Sequence, residues 1–276
     1  MFIIISVAVI GVFLLISVDH KLTVTRYRIE TDKLDAPVRI ALLSDLHSGF
    51  HGENQEVLIS MLDEQKPDIV LLGGDIDDDF KSHHGAIKLL DGITDKYDCI
   101  YVTGNHEARG DKVAEIKALF RERGVVILEG ENRVVEINGQ RLNIFGIDDP
   151  QIGEEIFQKQ LEQLESAIDS IDDGLYTIFL SHRPELFDNV LTKKLRYDLL
   201  LAGHTHGGQL RIPRVLEGVY SPGQGIFPEY TSGLYMSSYS EHKKMIVSTG
   251  LATNHPIVIP RVFNPPEIVI TDLIPE

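Results

Sequence analysis

The sequence predicts an α/β fold, a sandwich of two mixed β-sheets flanked by helices. Near-continuous apolar runs at 38–43, 68–72 and 99–102 alternate with segments whose apolar residues recur at helical spacing. That is the pattern of strands covered on both faces. The dipeptide Asn138-Gly139 joins two strand-like segments, 132–137 and 141–147, as a tight hairpin. The buried-strand signature then resumes at 176–180 and 197–201.

The elements follow in order. Strand 38–43 runs into a polar turn, 45–52, rich in His and Gly. Residues 54–62 carry Val57, Leu58, Met61 and Leu62 on one helical face. Pro67 opens strand 68–72, which ends at Gly73-Gly74. A short helix is expected over 84–90, a third strand at 99–102, and a helix over 111–123 with Val113, Ile116, Leu119 and Phe120 on one side. The middle of the chain, 125–147, reads as antiparallel. A helix over 153–171 would turn Phe157, Leu161, Leu164 and Ile168 to the core. After Gly203 the chain is rich in Gly and Pro and reads as one long ordered loop, closed by strands at 244–248 and 267–271. The expected organisation is an N-terminal anchor at 1–18, a linker and leading strand at 19–37, and a domain at 38–276 with a loop excursion at about 213–240.

Composition narrows the function. The 276 residues include 26 basic and 42 acidic side chains, a net charge of -16. This argues against broad binding to a nucleic-acid backbone, which needs Lys and Arg. A nuclease is not excluded, because bound divalent ions would reverse the local field. Cys99 is the single cysteine, so an intrachain disulfide and all-cysteine zinc or iron–sulfur sites are excluded. Its apolar neighbours make it a core thiol rather than a nucleophile.

Residues 2–18 are apolar apart from Ser6, Gly11 and Ser17, and no charge occurs before Asp19. The run is near the short end of the roughly 17–25 residues that cross a bilayer, and a membrane anchor is the expectation. A cleaved signal is the second reading; no Lys or Arg precedes the run. A soluble core segment is the third. Lys21, Arg26 and Arg28 follow it, so the positive-inside bias puts the globular part in the cytoplasm. The charge difference is small, and the side of the membrane stays open.

Five polar clusters fall just after apolar strands: Asp45-Leu46-His47, Gly74-Asp75-Ile76-Asp77-Asp78, Gly104-Asn105-His106-Glu107, Ser181-His182 and Gly203-His204-Thr205-His206-Gly207-Gly208. Ligands of α/β sheets gather outside the carboxyl ends of the strands, so loops distant in sequence would converge on one crevice. Aspartate, an asparagine carbonyl and neutral imidazole suit divalent Mn, Fe or Zn.

These clusters resemble the full signature set of the calcineurin-like metallophosphoesterase superfamily, from Val38 to about Thr253. The run Gly203-His204-Thr205-His206-Gly207-Gly208-Gln209 resembles the last motif of a bacterial membrane-associated branch. The resemblance implies a metallophosphoesterase-type sandwich and two divalent metal ions per chain. Asp45, His47 and His206 would hold the first ion, and Asp75 would bridge. Asn105, His182 and His204 would hold the second. His106 would sit near the phosphate as general acid, without ligating. A metal-bound hydroxide would attack phosphorus in line with the leaving alcohol. Asp78 and Glu107 could each orient a metal-binding side chain without touching the ion, and each has a simpler reading as a loop cap or helix-start residue. Asp79 and the pair His83 and His84 read as solvated loop.

The branch implies a protein at the bacterial cell membrane acting on a lipid-linked phosphodiester or pyrophosphate. The segment 215–239, with Val219, Tyr220, Ile226, Phe227, Tyr230, Leu234, Tyr235 and Met236, is a candidate apolar lid. Pinning of a long loop to the core explains those side chains equally well. Arg211 and Arg214 could meet anionic headgroups or be solvated. A phosphodiesterase for soluble nucleotides or metabolites is the alternative enzyme, and a metal-binding scaffold without turnover is the alternative from another class.

Overall fold

The computed structural model describes residues 21–168, 174–187, 194–212, 214–240, 242–253 and 260–276. The expected anchor at 1–18 lies outside the described residues, as does the end of the helix expected over 153–171. No helix among the described residues is long and apolar enough to cross a membrane.

The chain runs β1 (Thr23–Thr31), β2 (Val38–Leu43), α1 (Glu56–Gln65), β3 (Ile69–Leu72), α2 (His84–Ile93), β4 (Cys99–Tyr101), α3 (Asn105–Ala108), α4 (Val113–Arg121) and β5 (Val126–Ile127). It continues through β6 (Glu131–Ile137), β7 (Gln140–Gly146), α5 (Glu154–Ile168), β8 (Tyr176–Leu180) and β9 (Leu199–Ala202). It closes with β10 (Tyr220–Ser221), β11 (Gly225–Ile226), β12 (Gly233–Met236), β13 (Lys244–Val247) and β14 (Glu267–Pro275).

Two six-stranded sheets form, ordered β1-β14-β2-β3-β4-β5 and β12-β13-β9-β8-β7-β6. Both are mixed. Strands β2 to β5 are parallel, whereas β14 enters antiparallel to β2. Strands β7, β8, β9 and β13 are parallel, with β6 and β12 antiparallel at the edges.

The strand period of two sorts the apolar residues into layers. Ile40, Leu42, Ile69 and Leu71 of the first sheet meet Leu142, Ile144, Ile178 and Leu199 of the second in the central layer. Ala41, Leu43, Val70 and Leu72 point the other way, onto Leu58 and Leu62 of α1 and Leu89 and Leu90 of α2. Phe145, Phe179 and Leu200 pack under Phe157, Leu161 and Leu164 of α5. The central parallel strands β2, β3, β4, β8 and β9 are thus covered on both faces, which explains the unbroken apolar runs.

Two expectations need correction. The middle of the chain is antiparallel only across the β6–β7 hairpin; β7 then pairs parallel with β8. The hairpin is as tight as Asn138-Gly139 predicts, with φ of 52° and 75° at the two turn residues. The stretch after Gly203 is not all loop: it contains the β10–β11 pair and an edge strand, β12. Leu234 and Met236 of β12 are exposed, so no apolar face marked it as a strand.

Candidate metal centre

Strands β2, β3, β4, β8 and β9 each end in a short polar loop, and these five loops meet. Backbone bonds zip the first two together: the Asp45 N–H donates to the Gly74 carbonyl at 3.0 Å, and the His47 N–H to the Asp75 carbonyl at 2.8 Å. The Gly203 N–H donates to the His182 carbonyl at 3.1 Å, joining the loops after β8 and β9. Asp45, His47, Asp75, His204 and His206 all sit at positive φ, between 48° and 72°. Left-handed backbone at a residue with a Cβ costs of order 1–3 kcal/mol, and such residues concentrate at functional sites. Gly104 is glycine for a steric reason: a Cβ there would run into the Asp75 carboxylate and backbone.

The side chains behind this backbone converge. Asp45, His47 and His206 bring one ligand atom each to within 4.8 Å of one another, as do Asp75, His182 and His204. His47 Nε2 lies 3.4 Å from His206 Nε2 and 3.6 Å from Asp75 Oδ2. His182 Nε2 lies 3.3 Å from the same Asp75 oxygen and 3.2 Å from His204 Nδ1. Asp75 therefore stands between the two groups. All of these side chains are buried.

Outer contacts fix the rings. His182 Nδ1 donates to the Gly73 carbonyl at 2.8 Å, which turns Nε2 inward to Asp75. His47 Nδ1 approaches Asp78 Oδ2 at 3.3 Å. The His204 N–H donates to both Asp45 oxygens, at 3.0 and 3.2 Å. Glu107 accepts from the N–H groups of Asp75, Asp77 and Gly104 at 2.9, 3.0 and 2.8 Å. Its buried carboxylate clamps the loops after β3 and β4.

The electrostatics favour a cation. Burial, aided by the charge of Asp75, pushes Asp45 above the usual carboxylate range. Burial opposes charge on His182, yet Asp75 draws its pKa up to about 10. Burial and the neighbouring charges of His182 and Arg183 hold His204 well below the ordinary value, as a neutral imidazole. The Asn105 Oδ1 atom is buried and accepts no hydrogen bond. Lone pairs of several imidazoles facing each other around carboxylates, with one orphaned amide oxygen, form a donor set suited to divalent metal and to little else. These residues fit a dinuclear centre.

Asp45, His47, Asp75, Asp78, His106, His182, His204 and His206 come together in this crevice, Glu107 ties its loops, and Asn105 stands next to Gly104 in one of them. His106 sits beside it, its ring 4.4 Å from that of His47. His47, Asp78 and His106 form a third convergent group. His106 Nδ1, however, lies 2.9 Å from Asp79 Oδ1. Burial is the largest influence on His106 and lowers its pKa.

Asp79 is a correction: it is not solvated loop. It accepts from His106 and also from Arg109, at 2.8 and 2.9 Å. His83 likewise pairs with Asp77 rather than with water. Arg183 was missed. Asp149 grips its guanidinium at 2.6 and 3.2 Å, which brings Nη1 to 3.2 Å from His204 Nε2. Its signal was its place immediately after the strand-end His182.

The sequence profile of the family described as calcineurin-like phosphoesterase matches residues 38–208. An uncharacterized metallophosphoesterase of Aquifex aeolicus is 31% identical over 91% of this chain and 92% of its own length. A zebrafish (Danio rerio) protein named transmembrane protein with metallophosphoesterase domain is 27% identical over 88% of this chain, which covers 56% of that protein. Among solved structures, the phosphopantetheinyl hydrolase of Mycobacterium tuberculosis is similar in fold, with a TM-score of 0.50 at 12% identity over 79% of this chain and 92% of that one. The matched segment contains all five loops of the crevice, and the chain belongs to the calcineurin-like phosphoesterase family, a metallophosphoesterase by sequence and by fold.

Proposed function

We propose that the crevice is a two-metal phosphoesterase centre acting on a lipid phosphodiester or pyrophosphate at a membrane surface. The observation that carries the reading is the approach of His47 Nε2 and His182 Nε2 to a single oxygen of Asp75 from opposite groups, at 3.6 and 3.3 Å. Asp45, His47 and His206 would hold one ion, Asn105, His182 and His204 the other, with Asp75 shared. Divalent Mn, Fe or Zn bound there supplies Lewis acidity and an acidified water at neutral pH.

The chain's own groups do the remaining work. His106, whose Nδ1 lies beside Asp79 and Arg109, would deliver a proton to the leaving oxygen from its imidazolium form. Arg183, oriented by Asp149, adds a fixed donor for a phosphoryl oxygen.

Two observations favour a membrane-bound substrate. Ile226, Phe227, Met236 and Tyr239 are exposed apolar or aromatic side chains on the 214–240 segment. A relative carries "transmembrane" in its name. An anchor at 1–18 would hold the centre against the bilayer.

The test is turnover of a lipid extract and of a chromogenic phosphodiester by Mn-loaded protein, with metal content measured by elemental analysis. Two ions per chain and release of p-nitrophenol are expected. Asp75→Asn should lose most of the metal, and rate by more than the roughly 10–100-fold typical of an outer-shell change. Bound metal without turnover would favour a scaffold, and cleavage of soluble diesters alone a metabolite phosphodiesterase.

A further inference from the structure

A cavity of ≈ 600 Å³ opens beside the metal centre, lined by Glu185, Gln224, Phe227, Pro228, Glu229 and Tyr230, with Ser238 and Tyr239 at its edge. Glu185 is the unusual member. Both of its carboxylate oxygens are buried, and among the described residues neither has a cation at ion-pair distance; its hydrogen-bonding neighbours are neutral donors. The neighbouring Gln224 amide donates to the Tyr230 carbonyl at 3.0 Å and accepts from the Tyr230 N–H at 2.9 Å, which leaves its second N–H, a neutral donor, for Glu185. The charge of Arg183 reaches Glu185, but that guanidinium is gripped by Asp149 at 2.6 Å. Burial lifts the Glu185 carboxyl above its ordinary range, the sign of a carboxylate short of positive charge.

Glu185 also lies close to the reacting end. A point one Cβ bond from Gly223 is 3.1 Å from Arg183 Nη1, 3.3 Å from His204 Nε2 and 3.7 Å from Glu185 Oε1. Gly223 has a φ of 80° and no side chain, so nothing of its own fills the space among those three groups. A phosphoryl group at the centre and a short chain leading from it would run past Gly223 to the Glu185 carboxylate.

The lining selects the chemistry. No Lys, Arg or His lines the cavity among the described residues, and Glu229 adds a second carboxylate at its rim. Phe227, Tyr230 and Tyr239 provide aromatic surface. A buried carboxylate among aromatic rings binds an ammonium group through charge and cation–π attraction, and rejects an anion. An amino alcohol esterified to phosphate would supply that cation at short range.

We propose that the substrate is a phosphodiester in which one alcohol carries an ammonium group, held by Glu185 and the aromatic wall of this cavity. The inference rests on the phosphoesterase reading above and names its substrate class. It assigns to the Arg183-Pro184-Glu185 turn the recognition of both ends of one phosphoamino alcohol.

The experiment compares two chromogenic diesters on Mn-loaded full-length protein: the p-nitrophenyl diester of choline phosphate and its neutral carbon isostere. A charge-assisted contact predicts a preference of about 10- to 100-fold in kcat/KM for the charged diester. Glu185→Gln should bring the ratio of the two close to unity. Equal cleavage by the unaltered protein, or a preference that survives Glu185→Gln, overturns this inference and leaves the phosphoesterase reading intact. Cleavage of neither diester by the metal-loaded protein overturns both. If Glu185→Gln fails to fold, inhibition of the unaltered protein decides: free choline should compete with the diester and the neutral isostere alcohol should not, and equal inhibition by both sinks the proposal.

Discussion

His106 is the residue at which structure and proposed chemistry are most separable, because Asp79, and not a metal ligand, holds its ring. His106→Ala should retain the bound metal and lose about 10²–10⁴-fold in kcat. Asp79→Asn should lose less, about 10–100-fold, since the ring remains and only its orientation loosens. Steady-state kinetics with parallel metal analysis checks both; an Asp79→Asn protein as slow as His106→Ala would mean that Asp79 does more than orient. The contrast also explains what sequence could reveal. Asp45, Asp75, Asn105 and His204 were legible because each directly follows an apolar strand. Asp79 and Arg183 were not, because their roles depend on Arg109 and Asp149, partners 30 and 34 positions away. Cys99 was legible in the opposite sense: its apolar neighbours predicted inertness, and burial pushes its pKa up to about 12. The thiol should therefore resist alkylation in the native protein and react once it is unfolded.

Among the elements, the β6–β7 hairpin gives the cleanest separation of stability from activity. Gly139 at φ 75° faces open space, so a methyl group there meets strain and no clash. Gly139→Ala should cost about 1–2 kcal/mol in denaturant unfolding and leave turnover untouched, the turn being remote from the crevice. A loss of activity in the still-folded protein would show that the edge of this sheet communicates with the centre. Central strands such as β3 and β8 were readable because every residue in them is buried. Edge strand β12 was not: its residues alternate between partial and full exposure, and only pairing with β13 makes it a strand. The parallel pairing of β7 with β8 was equally hidden, because an apolar run carries no record of direction.

At the scale of the whole molecule, the net charge of -16 opposes the approach of any phosphate ester. Added salt screens that repulsion, so kcat/KM for an anionic substrate should rise between low and physiological ionic strength. A fall would mean that a local positive field, from the ions or from Arg183, dominates capture. The sheet order carries a further consequence. Strand β14 lies between β1 and β2, so residues at opposite ends of the chain are partners: the Thr23 hydroxyl donates to the Pro266 carbonyl across 243 positions. During synthesis, β2 must wait with one ladder edge unfilled until β14 has been made. Closure over such a span is entropically slow, and an unpaired strand edge invites association with other chains. The nascent protein should therefore depend on chaperone protection until β14 has emerged, and loss of the 267–275 segment should abolish folding even though it supplies none of the proposed metal-binding side chains.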